Sequence, residues 1–139
     1  PKRIAAMGWS AGATYAVSTA RSDVANKYLD SKEPRFAAHV GFYGGCTSQR
    51  FGFTGAPIIV LQGSADTHVP LKRCEDIKRN FPNLVSNVVY PDVHHGFDKE
   101  GVNWTRGGRS MQWNQDAAQD ARAKVLAFLV NVLKPVAAP

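Results

Sequence analysis

Apolar and polar positions fall in blocks along this chain, and the blocks predict strands separated by helices. RIAAMGW, residues 3–9, reads as a short buried strand. Small residues and helix formers around Tyr15 and Val17 predict a helix over 11–20, beginning just after Ser10. The polar stretch from Arg21 to Arg35 reads as a surface connection with a short helix at 24–29. FAAHVGFY, 36–43, reads as a second strand that ends in the Gly44-Gly45 turn. The clearest strand is PIIVL, 57–61, whose continuous β-branched run suits a parallel strand covered on both faces.

After the loop at 63–69, a helix is predicted over 70–81 with Pro70 in its first turn. Leu71, Cys74, Ile77 and Phe81 share one face of it. Residues 85–90 read as a fourth strand. Asn114 caps a last helix, and Asp116 complements its positive end. Its inward stripe is Ala118, Ala121, Val125, Phe128, Leu129 and Val132, and Pro135 closes it. GVNWTRGGRSMQW, 101–113, reads as a mobile loop near the site. Strands alternating with helices predict an α/β fold with a parallel sheet flanked by helices. With no repeat, low-complexity tract or linker in view, residues 1–139 read as one domain.

Composition narrows the function classes. A chain of 139 residues can bury a real core, and 44% hydrophobic with 20% charged residues is ordinary for a soluble globular protein. No apolar run approaches the roughly 18–20 residues of a bilayer span, so no membrane partner is expected. The net charge of +6 comes from scattered residues such as Lys2, Arg3, Arg21, Lys27, Lys72 and Arg73. That scatter predicts a solvated basic surface able to steer small anions, with no nucleic-acid partner.

The chemistry centres on AAMGWSAGA, 5–13, where Gly8-Trp9-Ser10-Ala11-Gly12 spells G-x-S-x-G between a strand and a helix. That context suits a nucleophile elbow: Ser10 on a strained turn, with Gly8 and Gly12 leaving room for close backbone approach. The amide of Ala11, at the helix start, would point at a developing oxyanion. A serine hydroxyl needs a base, and a histidine base needs an acid to orient it. Asp66 in LQGSADTHVP and His95 in YPDVHHGFD follow in that order, each just past a strand. Gly96 permits a sharp loop after His95, which favours it over His94. Asp92 and Asp98 share the histidine's own loop and suit surface turns, while His39 and His68 suit core or surface roles. Trp9, Phe97 and Trp104 are candidates to line a substrate pocket, although core packing also accounts for aromatic residues. His94-His95 and Cys46…Cys74 lack metal-ligand spacing, so neither metal nor cofactor is implied.

On GWSAG, PIIVLQGSADTHVP, VVYPDVHHGFD and the tail WNQDAAQDARAKVLAFL, the chain resembles the dienelactone hydrolase family of the α/β-hydrolase superfamily over nearly its whole length. The resemblance implies a Ser10–Asp66–His95 triad, a small-molecule ester or lactone as substrate, and an acyl-enzyme. The namesake enzymes carry cysteine where this chain has Ser10, and relatives with serine look like general esterases or lactonases. A prolyl oligopeptidase-like peptidase is the alternative, with a longer usual interval from Ser to Asp than this chain has. An inactive fragment is the other. The chain resembles only the carboxyl-terminal half of the fold, from the nucleophile strand onward. A preceding segment or a second chain is therefore expected to complete the sheet, with the elbow strand central and paired on both sides. Cys46 ends a strand and Cys74 lies inward on the helix after the next one, and the resemblance makes a disulfide between them plausible. Two reduced core cysteines are the other reading. A bridge would favour a secreted or periplasmic setting, and reduced thiols a cytoplasmic one.

Overall fold

The computed structural model describes residues 3–30, 33–46, 50 and 52–134. Its elements run β1 (Ala5–Trp9), α1 (Ala11–Ser18), α2 (Ser22–Tyr28), β2 (Ala38–Phe42), β3 (Ile58–Gly63), α3 (Lys72–Asn80), β4 (Val85–Tyr90), β5 (Asn103–Arg106), β6 (Arg109–Gln112) and α4 (Gln115–Val132). The first four strands form one parallel sheet in the order β1-β2-β3-β4. This is the α/β architecture that the alternating blocks predict. β2 and β3 are buried at every position, as strands covered on both faces should be.

Successive strand side chains point to opposite faces, which sorts the core into two layers. Ile58 and Val60 pack with Val17, Ala20, Cys74 and Ile77 on the side of α1 and α3. Ile59 and Leu61 pack with Val40, Phe42, Ala121 and Val125 on the side of α4. The Asn114 side chain accepts from the Ala117 amide at 2.9 Å and caps α4 as expected. Pro135 lies outside the described residues. β1 is an edge of the described sheet, and Met7 and Trp9 on it are 46% and 45% exposed.

The stretch 101–113 corrects the loop reading, because β5 and β6 pair as an antiparallel hairpin. Arg106 stands opposite Arg109, so Gly107-Gly108 is a two-residue turn. Both glycines have positive φ, 56° and 74°, the conformation such a turn requires. The Thr105 and Ser110 hydroxyls bond across the ladder at 2.8 Å.

Cys46 and Cys74 are joined as a disulfide with their Cα atoms 5.1 Å apart. The bridge ties the segment that follows β2 to α3 across a sequence separation of 28. Loop closure of that length restricts the unfolded chain by about 3–4 kcal/mol. Reduction, or the pair Cys46→Ala and Cys74→Ala, is expected to lower the unfolding free energy by about that amount, ~3–4 kcal/mol. Urea unfolding with and without reductant measures it. A midpoint indifferent to reductant would refute it.

Candidate active site

The strand-to-helix turn is built around close approach. β1 ends at Trp9, Ser10 takes φ 52° and ψ −120°, and α1 begins at Ala11. A non-glycine residue at positive φ costs on the order of 1–3 kcal/mol, which the surroundings must hold in place. The Ser10 amide donates to the Phe42 carbonyl at 2.9 Å and pins the turn to β2. A Cβ on Gly8 would lie 2.3 Å from the backbone carbonyl of Gly12, so Gly8 has to be glycine. Gly12 departs from expectation: a Cβ there would meet nothing within 4 Å. The close contact runs from the bare face of Gly8 to the backbone of Gly12, and only the first needs the missing side chain.

The loops after β3 and β4 bring two more groups to this turn. The His95 Nε2 lies 2.9 Å from Ser10 Oγ, and its Nδ1 lies 2.7 Å from Asp66 Oδ2. The Asp66 and His95 side chains are 0% and 3% exposed. The other Asp66 oxygen accepts from the amides of His68 and Val69 at 2.7 and 3.0 Å. Burial opposes ionisation of Asp66, yet the His95 bond and these two amides outweigh it and hold the carboxyl below its usual range. An ionised carboxylate only accepts, so Nδ1 must carry the imidazole proton. That tautomer leaves Nε2 free to take the Ser10 hydroxyl proton. Ala11 opens α1, so its amide is a first-turn donor with no carbonyl one turn back inside the helix.

The remaining histidines divide differently from expectation. His94 faces a small cavity with Asp92, Gln112, Trp113 and Asn114. His39 is buried in β2 with Nδ1 2.9 Å from the Ala16 carbonyl, the core role expected of it. His68, however, stacks on the His95 ring at 4.3 Å and 13°. Burial, and then any proton on His95, disfavours charge on His68 and lowers its pKa from the ordinary imidazole value. Tyr43 meets the His95 ring at 4.6 Å, inclined at 61°, and Trp104 of β5 meets His68 at 6.0 Å. The only sequence signal for His68 is its place two residues after Asp66.

One further expectation is corrected. Phe97 is 0% exposed and packs in the core with Phe42, Tyr43 and Tyr90, so it supports the site instead of lining it. Asp98 stands partly exposed in a turn, as expected, and there it accepts from Trp9 Nε1 at 2.7 Å and from the Tyr43 hydroxyl at 2.8 Å. Asp92 does sit in an exposed turn, at φ 55°. Trp9 and Trp104, both about half exposed, remain at the rim of the Ser10 turn and over His68. The hairpin is bonded to both loops, since Gln112 N–H donates to the His95 carbonyl and Ser110 N–H to Thr67 Oγ1.

A sequence profile of the dienelactone hydrolase family matches residues 1–133. Curated protein sequences yield no match. Among solved structures, a dienelactone hydrolase-like promiscuous phosphotriesterase from metagenomic libraries superposes with a TM-score of 0.71 at 17% identity, over 96% of this chain and 54% of its own. A thermophilic esterase of the planctomycete Thermogutta terrifontis, with propionate bound, gives a TM-score of 0.64 at 21% identity over 98% and 59%. Esterase 2 of that species phosphorylated by paraoxon gives 0.64 at 20% identity over 98% and 57%. The present chain thus spans a little over half the length of these structures.

Proposed function

The chain belongs to the dienelactone hydrolase family, and from that premise we propose that it is a serine hydrolase of carboxylic esters or lactones. The observation that carries this reading is the unbroken run of short contacts Ser10 Oγ–His95 Nε2–His95 Nδ1–Asp66 Oδ2, at 2.9 and 2.7 Å. Ser10 attacks the acyl carbon as Nε2 takes its proton, and Asp66 stabilises the imidazolium. The Ala11 amide donates to the oxyanion. Collapse of the tetrahedral species expels the alcohol, which receives its proton from His95. Water, deprotonated by the same Nε2, then releases the acid. With serine as nucleophile, general short esters and lactones are the substrate class.

The related esterase that forms a phosphoryl adduct with paraoxon suggests the test. A fluorophosphonate should label the protein at Ser10, mapped by peptide mass, and p-nitrophenyl acetate should be turned over. Labelling elsewhere, or none, would refute the reading, and turnover of a proline-containing peptide in place of esters would favour the peptidase alternative. The edge position of β1, with Met7 and Trp9 half exposed, supports completion of the sheet by a further segment or a second chain. The Cys46–Cys74 bridge supports a secreted or periplasmic setting.

A further inference from the structure

The nucleophile and the base arise from elements far apart in sequence, and one carboxylate links the surroundings of both. Asp98 lies three residues beyond His95, on the base's own loop. Its Oδ2 accepts from the indole N–H of Trp9, the residue directly before Ser10. Its Oδ1 accepts from the hydroxyl of Tyr43, whose ring lies 4.6 Å from that of His95 and 5.5 Å from that of Phe97. Both anchored residues need holding. Trp9 is 45% exposed on an edge strand, where a stack on Phe42 at 5.5 Å is its other ring contact. Tyr43 takes a positive φ of 40°, unfavourable for a tyrosine.

We propose that Asp98 is a positioning residue that clamps Trp9 with one oxygen and Tyr43 with the other, and thereby sets the distance between Ser10 and His95. The inference rests on the hydrolase reading above. It assigns Asp98 no contact with substrate and no proton transfer. If the clamp is released, the Trp9–Asp98 bond that braces the Ser10 turn against the His95 loop is lost, which leaves the Ser10–His95 contact itself to hold them, and the Tyr43 ring beside the imidazole loses its anchor. Misplacement of reacting groups by about 1 Å can cost about 100-fold in rate.

The test counts active sites first. Ser10 is titrated with a fluorophosphonate, and kcat and KM on p-nitrophenyl acetate are expressed per titrated site. Asp98→Leu removes both acceptors at similar volume and should lower kcat about 10- to 100-fold, with KM little changed. Asp98→Asn still accepts from Trp9 and can donate to the Tyr43 oxygen, so it should recover most of that loss. Tyr43→Phe removes one donor alone and should lower kcat in part, with no further loss in the Asp98→Leu background. Should Asp98→Leu fail to fold, Tyr43→Phe and Asp98→Asn are read alone, and wild-type kcat in Tyr43→Phe overturns the proposal. A carboxylate serving only stability would reduce the titrated fraction and leave kcat per site at the wild-type value, which also overturns it. So would losses that multiply. Wild-type protein that neither labels at Ser10 nor hydrolyses the ester removes the hydrolase reading itself, and the clamp with it.

Discussion

Ser10→Ala is expected to abolish fluorophosphonate labelling and to lower kcat by about 10³-fold or more, without loss of fold. The substitution removes one oxygen from a half-buried turn, and the Ser10 amide bond to Phe42 involves the backbone alone. His95→Ala should cost nearly as much, because the hydroxyl has no other base within hydrogen-bond reach among the contacts described. The double variant should be little worse than either single one, since the two act as a unit. His94→Ala is the internal control. Its ring faces a different cavity, and its loss should be far smaller. Steady-state kinetics on one short ester decides the matter, and a worse lesion at His94 than at His95 would reverse the assignment of the base.

Asp66→Asn should be as severe for a different reason, lowering kcat by about 10⁴-fold while the protein stays folded. The new side chain retains a carbonyl oxygen for the amides of His68 and Val69, so the loop keeps its shape. Its amide group then faces His95 Nδ1 and donates where the carboxylate accepted. The imidazole must turn its proton to Nε2, and a protonated Nε2 cannot take the proton of Ser10. Activity lost with an unchanged melting temperature would mark the tautomer as the cause. A variant within tenfold of wild type would show that Asp66 serves the loop and not the base.

The sheet was legible because its inner strands are short runs of mostly apolar residues, as burial on both faces demands, and the stretch 58–61, rich in β-branched residues, shows it most plainly. Ser10, Asp66 and His95 were legible as candidates because each stands just past a strand of the sheet, β1, β3 or β4, in the order this chemistry uses. The hairpin was not. NWTR and RSMQ are polar and mostly exposed, so their period of two carries no apolar signal, and Gly107-Gly108 reads equally as turn or loop. Asp98 was hidden by distance: its partners lie 89 and 55 residues away along the chain, and no local pattern encodes such a meeting. The stacking of His68 on His95 is hidden in the same way. A histidine two residues after an aspartate is unremarkable until the fold brings a second ring to it.

The hairpin also bears on how this scaffold can be altered. Its Met111 end is bridged to His95, and Ser110 is bonded to the loop that carries Asp66, while Gly107 and Gly108 project beyond every such tie. The root and the tip are thus mechanically separate. Residues inserted at the tip extend a free turn and leave the acid and base loops fastened as before. Trp104 and its cross-strand partner Met111 lie two pairs in from Arg106 and Arg109, so a lengthened tip leaves the Trp104 contact with His68 in place. Lengthening of the hairpin has a permissive address at these two glycines.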